Sequence, residues 1–177
     1  RAFRMIGSSV NTTTSIKDNF QQGVHNIGFN YPADNNNPKP GYGTHITGSV
    51  TGENGFDATP SGNPSLFTFN NAGQSFEAAA NTDTKTLSTG EPLLLMVRGS
   101  RVTDISDNNA TPTDTRLEAK GSLQLGTANF AGLNTTAGNF NMLGNPYQAS
   151  VDMVTLTARG INLNPNQYYI WDSNQGS

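Results

Sequence analysis

The chain has 177 residues, of which 33% are hydrophobic and 13% are charged, and its formal net charge is −3. Asn, Thr, Gly and Ser form more than two fifths of the residues, and their low helix propensity argues against a helical protein. The weakly acidic balance excludes the basic surface that nucleic-acid binding requires, and the absence of Cys excludes disulfides and thiolate metal sites.

Turn-forming residues recur along the chain, and the segments between them have the composition of short strands. One of these segments, residues 150–157, has a helical alternative over residues 151–158, because Asp152 would lie in the first turn of a helix that follows Pro146. The predicted strands cover residues 2–6, 24–29, 44–50, 66–70, 93–98, 115–125, 140–144, 150–157 and 167–172.

Helix signals are few. Residues 14–23 carry the clearest one, because a capping hydroxyl from Thr14 or Ser15 precedes a short amphipathic stretch. Gly23 follows that stretch at the position where glycine commonly ends a helix. One short helix is therefore predicted here.

Two of the predicted strands differ in their pattern. Apolar or small residues alternate with polar ones in residues 117–125, which indicates a strand with one buried face. Residues 93–97 read Leu-Leu-Leu-Met-Val without alternation, which predicts a central strand covered on both faces. Pro92 and Gly99 border this run and disfavour a helix there.

Together these elements predict an all-β fold, a β-sandwich or jelly-roll with about nine short strands and at most one or two short helices. No internal repeat or break in composition divides the chain, so residues 1–177 are expected to form a single β-sandwich domain. Because the chain opens on Arg1 rather than Met, we expect it to be a segment of a longer protein. The longest apolar run is far shorter than the roughly 20 residues of a membrane-spanning helix, so no membrane insertion is expected.

Patterns typical of catalysis are missing. The histidines, His25 and His45, have none of the spacings of zinc hydrolases. Ser49 stands one place too early for a Gly-x-Ser-x-Gly nucleophile turn. The sequence therefore predicts that the protein is not an enzyme, and an enzyme acting on polysaccharide would need a cleft with two converging carboxylates.

A loop over residues 104–114 is the place where a cation would bind. Asp104, Asp107 and Asn109 offer hard oxygen donors of the kind that Ca²⁺ prefers. Their spacing is not that of an EF-hand, and Asp or Asn turns that bind their own backbone explain the same residues. Both interpretations stay open, and no other cofactor is predicted.

Aromatic residues suggest a second kind of site. Tyr42, Tyr147 and Trp171, with His45 beside them, are candidates for a platform on which a sugar ring stacks. The competing interpretation places the aromatic side chains in the core, where each buries a large area.

Several segments together resemble a known module. They are Gly-Thr-His-Ile-Thr-Gly at 43–48, Leu-Leu-Leu-Met-Val-Arg-Gly-Ser-Arg at 93–101, and Leu-Gly-Asn-Pro-Tyr at 143–147 followed by Asp152. Residues 117–125 and the Tyr-Ile-Trp-Asp ending at 169–172 fit the same comparison. Their order and spacing resemble a β-rich module of large secreted and cell-surface, adhesin-like proteins of Bacteroidetes, many of which are exported by the type IX secretion system.

The resemblance implies an extracellular or cell-surface location and no assigned catalysis, and it transfers no functional residues. Similar modules continue past the Tyr-Ile-Trp-Asp strand to another strand introduced by a Pro-Gly-Gln turn, which is not found before Ser177. We therefore expect either a segment cut from a longer protein or a missing strand that something else provides.

Two functions remain open at this point. The first is a non-catalytic extracellular or cell-surface module for adhesion or structural assembly, which associates through its surface or a sheet edge with other copies or with the rest of the parent protein. The alternative is a carbohydrate-binding module of a secreted polysaccharide-acting protein, with surface polysaccharide as its ligand. Neither function involves nucleic acid or membrane insertion.

Overall fold

The computed structural model describes residues 2–161 and 163–169. Within them, two α-helices, α1 (Ile16–Phe20) and α2 (Met153–Arg159), and a 3₁₀ turn at Glu53–Gly55 accompany eight strands. The greater number of strands confirms a β-rich fold. The strands are β1 (Ala2–Gly7), β2 (Val10–Thr12), β3 (Thr47–Ser49), β4 (Asp57–Ala58), β5 (Leu66–Asn70), β6 (Ser75–Ala78), β7 (Pro92–Val97) and β8 (Gly121–Leu123).

The largest sheet is antiparallel and has the strand order β1-β7-β5-β6. Strand β7 lies inside it, and Leu94 of β7 is paired with Met5 of β1 on one side and with Phe67 of β5 on the other. The central position predicted for the apolar run is therefore confirmed. Two smaller sheets pair β2 with β8 and β3 with β4.

The core lies against one face of this sheet. Because side chains alternate along a strand, Leu93 and Leu95 of β7 share a face with Leu66 of β5, and all three are almost completely buried. Burial of each such side chain stabilises the fold by about 1.5–3 kcal/mol. The remaining members of this core are Ile16, Phe20, Ile46, Phe56 and Leu87.

Helix α1 covers part of the core face and confirms the predicted helix. The Ser15 hydroxyl accepts a hydrogen bond from the Asp18 backbone N–H (3.1 Å), and the Asp18 carboxylate accepts one from the Ser15 N–H (3.1 Å). This reciprocal cap satisfies two backbone donors at the helix start. The helix ends earlier than predicted, because Gln22 already has a left-handed backbone (φ 60°), one residue before Gly23.

Two predicted strands, residues 24–29 and 140–144, are irregular instead. Their backbone donors bind polar groups outside any strand ladder. The Asn26 N–H donates to the Asp57 carboxylate (2.7 Å), and the Met142 N–H donates to the side-chain oxygen of Asn71 (2.7 Å). Asn and Asp side chains compete with strand pairing in this way, so these strand predictions were wrong.

Two further strand predictions are confirmed only in part, because residues 44–50 and 115–125 keep only the short strands β3 and β8. The strand predicted over residues 150–157 is wrong, and the helical alternative is found as α2 from Met153. Asp152 is the N-cap of α2 rather than part of its first turn, and its carboxylate accepts hydrogen bonds from the backbone N–H groups of Val154 (3.0 Å) and Thr155 (3.1 Å). Of residues 167–172, the first three are irregular and the last three lie outside the described residues.

Candidate functional site

The second face of the four-stranded sheet is apolar, yet none of its large side chains is fully buried. The non-alternating run in β7 predicts cover on both faces, whereas Leu94 and Met96 are only half-buried, in contrast to Leu93 and Leu95. The buried core of the described residues packs on one face only, so full cover is found on that face, and the partial burial of Leu94 and Met96 confirms cover of the other face only in part. We call the second face the apolar face; its large side chains are Phe3, Met5, Phe67, Phe69, Phe76, Leu94 and Met96.

Aromatic contacts hold the apolar face together. The rings of Phe3 and Phe67 lie 6.0 Å apart between centroids, and those of Phe69 and Phe76 lie 5.1 Å apart, both edge to face. The strand register places no charged residue on this face of the sheet. Contiguous uncharged apolar side chains that are not fully buried commonly mark interaction sites.

Strand β6 forms one edge of the same sheet. All four of its residues are exposed, and Phe76 is 41% exposed. Within the described residues, its outer edge is paired with no other strand. An unpaired edge presents backbone N–H and C=O groups that can pair with a further strand. Because Phe76 belongs both to this edge strand and to the apolar face, the unpaired edge and the apolar face form one continuous surface.

A second surface feature is a groove of about 390 Å³ near the end of β1. The loop that carries Tyr147 forms one wall, and Ser9 lies on the other side. An Asn-type turn shapes the loop, because the Asn145 side-chain oxygen accepts a hydrogen bond from the Tyr147 N–H (3.0 Å). The groove thus joins two segments that are distant in sequence; its lining is Gly7, Ser9, Asn145, Tyr147, Gln148, Ala149 and Ser150.

A buried ion pair lies at the start of β4. The Asp57 carboxylate accepts hydrogen bonds from Nη2 (2.8 Å) and Nη1 (3.0 Å) of Arg101, and both side chains are fully buried. The backbone N–H of Ile46 donates to the same carboxylate (3.1 Å). The imidazole of His45 lies alongside, with Nδ1 3.2 Å from Asp57 Oδ2 but not aligned for a hydrogen bond, and with Nε2 3.0 Å from the backbone oxygen of Arg101.

These neighbouring groups change the pKa of Asp57. Burial raises the pKa of the carboxyl group, but the contacts with His45 and Arg101 lower it by more, to about 2 from an ordinary 3.8. Perturbed groups often mark functional sites, yet His45 is only 3% exposed and Asp57 and Arg101 are fully enclosed. These three side chains therefore link loops and strands within the protein interior, where they are not accessible to a bound molecule.

The predicted ligand residues do not form one site. His45 is buried, so it does not face a ligand. The ring of Tyr42 lies against the chain's own cations, with Lys39 Nζ 3.6 Å and Arg116 Cζ 5.9 Å from its centroid. Tyr147 lines the groove, and Trp171 lies outside the described residues.

The predicted cation loop is a surface loop, but the carboxylates of Asp104 and Asp107 each accept hydrogen bonds within their own turn. Asp104 Oδ1 accepts hydrogen bonds from the Ser106 N–H (2.8 Å) and hydroxyl (2.6 Å), and Asp107 Oδ1 accepts one from the Asn109 N–H (2.7 Å). Slight desolvation raises the pKa of Asp104, whereas the hydrogen bonds that its own carboxylate accepts, chiefly from Ser106, lower this pKa by more. In the described part of the chain, no three His, Cys, Asp or Glu side chains form a group that could hold a metal ion, so the calcium hypothesis rests on the donor chemistry alone.

Sequence reasoning missed both Asp57 and the apolar face. Asp57 and Arg101 are 44 residues apart and have no local motif that links them. The apolar face does have a signal, namely the absence of alternation in residues 93–97, but that signal does not say which face the chain itself covers.

Among residues 2–161 and 163–169, no helix is long and apolar enough to cross a bilayer. Comparison with known protein families, curated proteins and solved structures finds no match to this chain. The resemblance to the Bacteroidetes surface module therefore stays a prediction.

Proposed function

We propose that the protein is a non-catalytic extracellular or cell-surface module for adhesion or structural assembly, which associates through the apolar face and the β6 edge. The observation that carries the proposal is the apolar face, because its seven large side chains carry no charge, none of them is fully buried, and Phe76 at its edge is 41% exposed. Location and lack of catalysis follow from the resemblance described above.

A second sheet is the covering layer that best fits this face. Sheets pack face to face about 10 Å apart, with apolar side chains of both inner faces interdigitating. Such a layer would complete the β-sandwich that the sequence predicts. The edge of β6 would allow the sheet to be extended by a further strand, as in strand addition.

A second copy of this chain is the partner we propose. The apolar face carries no charge, so two such faces meet without like-charge repulsion and without leaving an ion unpaired. The formal net charge of −3 per chain adds only weak repulsion at ordinary salt. Contact between identical faces is also the usual geometry of a twofold symmetric dimer.

Sedimentation equilibrium over a wide concentration range tests this proposal. We expect the wild-type chain to dimerise with increasing concentration, and Phe76→Glu to stay monomeric because a carboxylate would be buried in the contact. Leu125→Glu is the matched control, since Leu125 is 80% exposed but lies away from the sheet. A wild-type chain that is monomeric throughout, or equal weakening by both substitutions, would contradict the proposal.

A further inference from the structure

The groove beside Tyr147 combines an aromatic ring with amide and hydroxyl groups. We propose that it binds one ring of a neutral carbohydrate, with the sugar stacked on Tyr147 and its hydroxyl groups bonded to Gln148 and Ser150. This proposal concerns a different surface from the apolar face and does not depend on dimerisation.

The Tyr147 ring is held in place before any ligand arrives. Its hydroxyl donates a hydrogen bond to the backbone oxygen of Gly126 (2.7 Å) and accepts one from the N–H of Ala128 (3.1 Å). The side-chain amide of Asn145 donates to the Ala149 oxygen (2.6 Å) and so braces the same loop. A half-buried ring fixed at both ends loses little conformational entropy on binding.

Polar groups remain available around this ring. The Gln148 side-chain oxygen accepts a hydrogen bond from the Ser9 hydroxyl, which orients the amide group. The Nε2 group of Gln148 donates to none of the described residues and can therefore donate to a ligand. The exposed Ser150 hydroxyl adds a donor and acceptor at the same rim. Neighbouring sugar hydroxyls need this mixture of donors and acceptors.

The chemistry of the lining selects the ligand class. None of the lining residues is charged, so the groove offers no cation to phosphate, sulfate or carboxylate and no anionic ligand to a metal ion. Its volume of about 390 Å³ lies within the usual range for small-molecule sites, about 300–1,000 Å³. An uncharged ligand with many hydroxyl groups and an apolar C–H face fits this lining.

Calorimetric titration tests the proposal with neutral trisaccharides: cellotriose, maltotriose, mannotriose and triacetylchitotriose. A heparin disaccharide serves as the charged comparison. We expect at least one neutral trisaccharide to bind and the heparin disaccharide to bind more weakly. Tyr147→Leu should raise the dissociation constant of the neutral trisaccharide about tenfold, because the stacking surface is lost.

Two further variants complete the experiment. Tyr42→Leu is the matched control, since it also removes a half-buried tyrosine, and it should leave affinity unchanged. Gln148→Ala alters an exposed side chain and should weaken binding several-fold even if Tyr147→Leu fails to fold. The proposal is overturned by any of four results: no neutral trisaccharide binds, the heparin disaccharide binds more tightly, a folded Tyr147→Leu variant binds like the wild-type chain, or Gln148→Ala does so.

Discussion

The two faces of the four-stranded sheet carry similar side chains but differ in cover. Leu93 and Leu95 are 2% and 0% exposed on the core face, whereas their neighbours Leu94 and Met96 are half-buried on the apolar face. This comparison shows that an unbroken apolar run indicates a strand whose two faces both need to be shielded from water. It does not report how much of that cover the same chain supplies.

The reason lies in what the rest of the chain does. Helix α1 and the buried Asp57–Arg101 pair bring loops together on the core side. Residues 134–147 reach the same sheet at both ends, through hydrogen bonds of Asn134 and Met142 with Asn71 and through the close approach of Gly144 to Gly7. The large side chains of the apolar face nevertheless stay only partly buried, which is why we propose association there.

The largest expected effect comes from breaking the ion pair behind the core face. Asp57→Asn leaves the Arg101 guanidinium buried without its counter-charge, which should lower the free energy of unfolding by about 3–5 kcal/mol. Urea denaturation followed by circular dichroism measures the change. The control is Asp107→Asn on the exposed loop, expected within about 0.5 kcal/mol of wild type. A loss of stability no larger than that of the control would show that the pair does not support the core.

Paired substitutions in β7 sharpen the comparison directly. Leu95→Ala should cost about 2–5 kcal/mol, because it opens a cavity in a closed core. Leu94→Ala should cost roughly 1 kcal/mol, measured at concentrations where the chain is monomeric. Equal costs would mean that both faces are covered within one chain, contrary to our description of the apolar face.

Acid should weaken the core side specifically. Because the folded pKa of Asp57 lies at about 2, below its ordinary 3.8, the unfolded chain takes up this proton first as the pH falls. The stabilisation, about 2 kcal/mol, is complete above pH 4 and is lost between about pH 4 and pH 2. Melting temperature as a function of pH tests this, and a profile that is flat over that interval would contradict the assignment.

The smallest expected effects compare the two helix caps. Ser15→Ala removes the cap of α1, which covers the core, and should lower global stability by about 1 kcal/mol. Asp152→Ala removes the cap of α2, where Leu156 remains 51% exposed, so it should reduce helix content without moving the main unfolding transition. A shift of that transition by Asp152→Ala would indicate that α2 is part of the cooperative core.

Local patterns predicted part of the fold. Strands β1, β5 and β7 and helix α1 lie where the sequence places them, because turn residues and a capping hydroxyl act over a few positions. The wrong strands, residues 24–29 and 140–144, are those whose backbone groups bind distant Asp and Asn side chains. Of the candidate ligand residues that the structure describes, Tyr147 lines a groove and Tyr42 and His45 do not line it; the groove needs Gly7 and Ser9 from far along the chain, which the sequence around Tyr147 does not reveal.

By itself, the sequence determined a β-rich chain with a central apolar strand, because composition and periodicity act on each segment separately. The tertiary structure alone decided which face of that strand is buried, since this depends on where α1 and the Asp57–Arg101 pair lie. It also decided the groove, where Ser9 and Gln148 meet across 139 residues of sequence. Contacts over such separations leave no local pattern, so only the folded chain reveals them.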